Sequence, residues 1–125
     1  MVNVYGPCQG QLRDNFVDWL YHINIPQDEL WLFLGDFNFT KGPENRNKEG
    51  GEHNSMMTVN NIIINHDLVE IPLKGREFTW SNMQDHPLLE KLDWIFNSTN
   101  WTISFPNTMA HPLTRVTSDH VPIHI

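Results

Sequence analysis

Five consecutive apolar residues, Leu30-Trp-Leu-Phe-Leu34, stop abruptly at Gly35-Asp36-Phe37-Asn38. An unbroken apolar run of this length, bounded by turn residues, predicts a strand buried on both faces. Ahead of it, Leu12, Phe16, Trp19, Leu20 and Ile23 recur at helical spacing, with Arg13, Asp14 and Asp18 on the other side. That pattern predicts an amphipathic helix ended by Pro26. Val2, Val4 and Tyr5 read as a strand running into the Gly6-Pro7 turn. Downstream, strands are expected over 68–71, 78–80, 92–96, 101–105 and 121–125, with a turn at 73–76. A second helix is expected from a Ser55 cap, burying Met57, Val59, Ile62 and Ile63. Interleaved helices and strands give an α/β (α+β) fold.

The chain is 125 residues, enough for one domain, and its 39% hydrophobic residues include 5 Trp and 7 Phe for a packed core. Only 18% are charged, which argues against disorder. The net charge of 8 − 15 = −7 excludes a general polyanion-coating protein. It does not exclude a nuclease, because a bound cation reverses the field of the carboxylates that hold it. Cys8, the only cysteine, excludes an intrachain disulfide and a Cys-based zinc site, and is expected to pack as a small hydrophobe. The opening residues have no signal-peptide pattern, and no apolar run is long enough for a bilayer, so a soluble intracellular protein is expected. Residues 39–54 read as a long polar loop whose Lys41, Arg46 and Lys48 form the most basic stretch. A solvated loop is weighed slightly ahead of phosphate contact for these three.

The informative polar residues stand at the ends of apolar runs, where a sheet rim holds side chains rigidly. Asp36 and Asn38 follow the most apolar strand and, two residues apart, are expected to point to the same side. Asp93 sits between Leu92 and Trp94, where a lone charge is costly unless paired. Ser118-Asp119-His120 precedes the last strand. Each has a plain alternative: Asp36 and Asp119 as turn residues, His120 as a satisfied core histidine, Asp93 answered by a Lys or Arg. Their order along the chain favours a shared site.

Four motifs in series carry a specific resemblance: Asn3-Val-Tyr5-Gly-Pro7, Gly35-Asp-Phe-Asn38, Lys91-Leu-Asp93 and Ser118-Asp-His120-Val-Pro. This order resembles the endonuclease/exonuclease/phosphatase superfamily. More narrowly, Gly75-Arg-Glu-Phe-Thr-Trp-Ser-Asn82 and Leu88-Leu-Glu-Lys-Leu-Asp-Trp94 resemble the endonuclease domain of plant-type non-LTR retrotransposons.

The resemblance implies part of a four-layer α/β/β/α sandwich, with residues 1–125 as the C-terminal half of a domain lacking its N-terminal half. It implies metal-dependent phosphodiester hydrolysis, specifically DNA nicking by a hydrolase of a retrotransposon. Asp36 would orient or deprotonate the attacking water, Asn38 would fix water and phosphate, and Tyr5 would hydrogen-bond the phosphate. His120 would stabilise developing charge or transfer a proton, with Asp93 as its partner. Asp119 would lie at a Mg²⁺ (or Mn²⁺) ion, with Asp36 and Asn38 as further candidate ligands; the family's main glutamate ligand has no counterpart here. Carboxylate and amide oxygens suit such a hard cation. The implied partners are a DNA substrate and a reverse transcriptase module in a parent polyprotein, with no membrane and no small-molecule cofactor; nuclear localisation follows from the resemblance alone. Two alternatives stand beside it: a phosphomonoesterase or lipid phosphodiesterase of the same superfamily, and a non-catalytic truncated remnant. Little activity is expected of this chain alone.

Overall fold

The computed structural model describes residues 1–26 and 28–125. Its centre is a four-stranded sheet in which the strands lie in the order Val2–Tyr5, Leu32–Asp36, Asp93–Asn97 and Val69–Glu70. Strand β1 (Val2–Tyr5) connects through helix α1 (Gly10–His22) to β2 (Leu32–Asp36), which runs parallel to it. A helical crossover is what adjacent parallel strands require. Strand β6 (Asp93–Asn97) then pairs antiparallel with β2, and β3 (Val69–Glu70) with β6.

Alternation along β2 and β6 sends Phe33, Trp94 and Phe96 to one face and Leu32, Leu34 and Ile95 to the other. The first face is covered by α1 and by α2 (His53–Asn65), through Leu20, Val59 and Ile62. The second face meets Ile71, Ala110, Trp101 and Ile123. Two short ladders complete the chain: β4 (Trp80–Ser81) with β5 (Leu89–Glu90), and β7 (His111–Pro112) with β8 (Ile123–His124). The mixed α/β class is therefore present. Among the described residues the strands outside the four-stranded sheet form only these two-stranded ladders, of which β8 packs Ile123 on the second face. Among the described residues, no helix is long and apolar enough to cross a membrane.

Several elements differ from the sequence expectation. Residues 99–104 form helix α3 (Thr99–Ser104) instead of a strand, because the buried Ser98 hydroxyl accepts the Trp101 N–H at 3.1 Å and caps the turn. Helix α2 starts two residues before Ser55, whose hydroxyl donates to Glu52 at 2.9 Å, and the phase shift buries Met56 and exposes Met57. Helix α1 ends at His22, four residues ahead of Pro26. The last strand shrinks to Ile123–His124. Cys8 is exposed, so it does not pack as a hydrophobe.

Of the basic stretch, Lys41 and Arg46 are engaged by carboxylates within the protein, whereas Lys48 is exposed, as a solvated loop predicts, with its ammonium donating to the His86 carbonyl. Lys41 and Lys91 both bind the Glu70 carboxylate, Lys91 at 2.6 Å, and both ammonium groups lie over the Trp94 ring. Burial alone would raise the Glu70 pKa, but hydrogen bonds from the two lysines outweigh it and hold the carboxyl below its ordinary range. Arg46 pairs with Glu90 at 3.1 Å.

Candidate active site

The site begins as a row across three strands. Tyr5 is in register with Asp36, and Asp36 with Asp93. Registered neighbours share a face, so these three side chains leave the same side of the sheet at one rim, on the face opposite α1 and α2. Asp36 is 9% exposed, whereas Tyr5 is 82% exposed and its hydroxyl has no partner among the described residues. Gly35, just before Asp36, has φ +136°, and a Cβ there would come within 2.0 Å of the Val4 carbonyl oxygen. A glycine is thus what lets β1 approach the strand that carries Asp36.

Asn38 lies beyond the end of β2 in a left-handed conformation, φ 52°. That turn folds it back: its backbone N–H donates to Asp36 Oδ1 at 2.9 Å, and its side-chain amide donates to Asp36 Oδ2 at 3.2 Å and to the Gly6 carbonyl. Asn and Asp tolerate this conformation better than other residues with a Cβ.

His120 arrives from a different part of the chain, bridged to Trp80. Its Nδ1 faces Asp93 Oδ2 at 2.8 Å, while Nε2 faces Asp36 Oδ2 at 3.5 Å. The first is a hydrogen bond; the second exceeds the usual N–H···O range. An ionised Asp93 can only accept, so Nδ1 carries the proton and Nε2 is the atom free to act. Burial alone would lower the His120 pKa; the hydrogen bond and charge of Asp93, then Asp36 and Asp119, outweigh it and hold the imidazole above its ordinary value. Asp36 is also held above the usual carboxylate range, by burial first and then by the charges of Asp93 and Asp119, against the Asn38 N–H and His120.

Asp119 accepts from the Trp80 indole N–H at 3.1 Å and is near enough to act on both Asp36 and His120. Asp36, Asp93 and His120 each offer a ligand atom within 4.8 Å of one another. Asp119 is not part of this close cluster; carboxylate and amide oxygens are the donors in the neighbourhood that suit a hard cation. Three carboxylates around one imidazole leave an excess of negative charge that a cation would balance.

Asp36, Asn38, Asp93 and His120 are thus brought together, with Asp119 alongside; Tyr5 shares the row as the strand neighbour of Asp36, with no hydrogen bond from its hydroxyl among the described residues. The sequence reading missed Thr79, a fully buried residue whose hydroxyl bonds the backbone of Asp93. The available signal was a hydroxyl set between Phe78 and Trp80 in an apolar run. Beside Asn38, on the side of α1 and α2, opens a cleft of about 510 Å³ lined by Arg13, Arg46 and Ser55; Asp36, Asp93 and His120 do not line it.

No family model matches the chain, and no curated protein matches it. Among solved structures, it is similar to beta toxin 275-280 from Staphylococcus aureus, at 21% identity and a TM-score of 0.49. The similarity covers 87% of this chain, which spans only 41% of the length of the toxin chain.

Proposed function

We propose that the chain belongs to a metal-dependent phosphodiesterase, and that its substrate is DNA, nicked in the manner of a non-LTR retrotransposon endonuclease. The observation that carries this reading is the imidazole of His120 held between Asp93 and Asp36 at the sheet rim. A phosphodiester is anionic, so its hydrolysis needs a fixed water, a proton acceptor and groups that offset charge on the phosphoryl oxygens.

Asp36 supplies the acceptor. Its raised pKa brings it closer to the range where a carboxylate takes a proton efficiently at neutral pH. Water attacks phosphorus, a new P–O bond forms, the ester P–O bond breaks, and the water proton goes to Asp36. His120 Nε2 donates to the oxygen that gains charge, and Asp93 stabilises the imidazolium. Asn38 keeps the Asp36 carboxylate oriented. Asp119, with oxygens of Asp36 and Asn38, would hold Mg²⁺ or Mn²⁺, which when bound offsets the phosphate charge. Tyr5 adds a hydroxyl at the exposed end of the row. The same reading makes the chain the C-terminal half of a four-layer sandwich, with a reverse transcriptase module elsewhere in the parent polyprotein and a nuclear site of action.

The test is conversion of supercoiled to open-circle plasmid, with Mg²⁺ and with EDTA, by the chain alone and joined to the N-terminal half of a retrotransposon endonuclease. The chain alone should nick weakly, the joined form strongly and in an EDTA-sensitive way. Asp36→Asn should lower the joined form by about 10²- to 10⁴-fold, the range of a positioned acid or base. Hydrolysis of inositol phosphates but not plasmid would replace the DNA reading with the phosphatase or lipid phosphodiesterase alternative. Inactivity of both forms on every phosphoester would leave the non-catalytic remnant.

A further inference from the structure

Thr79 immediately precedes β4 and exposes none of its surface. A buried hydroxyl must find its partners inside the protein. Its Oγ1 accepts two consecutive backbone N–H groups, from Leu92 at 3.0 Å and Asp93 at 3.1 Å. A regular strand cannot send consecutive N–H groups to one point, because they alternate in direction. The chain therefore turns on the Thr79 oxygen just as β6 begins. The backbone of Thr79 adds two further bonds: its N–H donates to the Glu90 carbonyl at 2.9 Å, and its carbonyl accepts the Val121 N–H at 2.8 Å. Next along, Ser81 N–H donates to the Asp119 carbonyl at 3.0 Å. One buried residue thus ties the segment that starts with Asp93 to the segment that carries His120.

We propose that Thr79 is the positioning residue of the Asp93–His120 pair: its hydroxyl fixes the backbone from which Asp93 projects, and its carbonyl fixes the backbone next to His120. The functional meaning rests on the phosphodiesterase reading, but the geometry does not, and the test uses no substrate. Thr79→Val keeps the shape and removes the acceptor; Thr79→Ser keeps the acceptor and removes the methyl group. In ¹⁵N-labelled chain at one fixed pH, the Nδ1–H proton of His120 gives a downfield resonance, identified by its loss in His120→Gln.

Thr79→Ser should retain this resonance at its original position. Thr79→Val should shift it upfield or speed its exchange with water by roughly tenfold or more, in line with the loss of one buried acceptor. A residue with only a structural role would lower the melting temperature in the variants without moving the resonance, and that outcome overturns the proposal. So does loss of the resonance in folded Thr79→Ser. Should Thr79→Val fail to fold, hydrogen exchange in the unaltered chain decides: Leu92 and Asp93 amides must be as protected as those within β6, and rapid exchange refutes the role. Failure to cleave any phosphodiester would not alter these readouts, so the two readings fall separately.

Discussion

Asp93→Asn removes a charge and little else. The side chain keeps its shape and an oxygen that can accept from His120 Nδ1, now 2.8 Å from a carboxylate. A hydrogen bond to a charged group contributes about 1.5–3 kcal/mol, and partial solvent exposure of this pair trims the expectation to about 1–2 kcal/mol. His120 should therefore titrate lower in the variant, because it loses the carboxylate charge that chiefly opposes its burial. Burial, which works against the imidazolium, then faces only Asp36 and Asp119. The sign of the stability effect follows from the raised pKa in the native protein. Its stabilisation is fully present below the unfolded histidine value of about 6.5 and is lost as pH rises through the higher folded value. The stability gap between unaltered chain and variant should therefore be widest near about pH 6 and narrow in the alkaline direction. Two measurements check this: NMR titration of the His120 ring carbon-bound proton, and urea unfolding at several pH values. An unchanged His120 midpoint, or a gap that widens above pH 7, would refute the reasoning.

Gly35→Ala should cost more than about 3 kcal/mol in urea unfolding, since the added carbon strikes the Val4 carbonyl oxygen from a backbone conformation that side chains rarely adopt. A loss below about 1 kcal/mol would mean that β1 yields easily. Glu70→Gln should destabilise the fold by about 1–2 kcal/mol at neutral pH, because two lysines lose their shared carboxylate. The Glu70 pKa is lowered, so its contribution is present above the ordinary glutamate value and disappears as pH falls through the lower folded one. The variant's acid unfolding limb should be correspondingly flatter, and an unaltered limb would exclude the clamp as a pH-dependent support.

Much of this arrangement was legible because two signals agreed. Unbroken apolar runs marked β2 and β6, and a charge closing or interrupting such a run had to be paired, which located Asp36 and Asp93. Asn38 was placed near Asp36 for the wrong reason: strand alternation suggested a common side, whereas a left-handed turn past the strand end returns it. The failures have local causes. Trp101, Ile103 and Phe105 alternate like a strand, yet one capping hydroxyl on Ser98 is enough to wind the segment into a turn of helix. The pairing of Lys41 and Lys91 across Glu70 joins three distant parts of the chain, and no local pattern announces such a contact. For Thr79 the local pattern gives a hydroxyl between two aromatic residues but not its partners, which lie 13 and 14 residues away.

The alignment of β2 with β6 puts Phe33 opposite Phe96 three residue pairs away from Asp36 opposite Asp93. Sliding one strand by a single residue would turn both its aromatic and its acidic side chains over together. The bulky rings therefore act as an alignment key for groups they never touch, since a misregistered sheet would be rejected by the helix-covered core before any chemistry at the rim could be tried. Substitutions around the carboxylates can then accumulate without the frame that aims them being lost, and the rim can be varied, by evolution or by engineering, as an interchangeable head on a fixed mount.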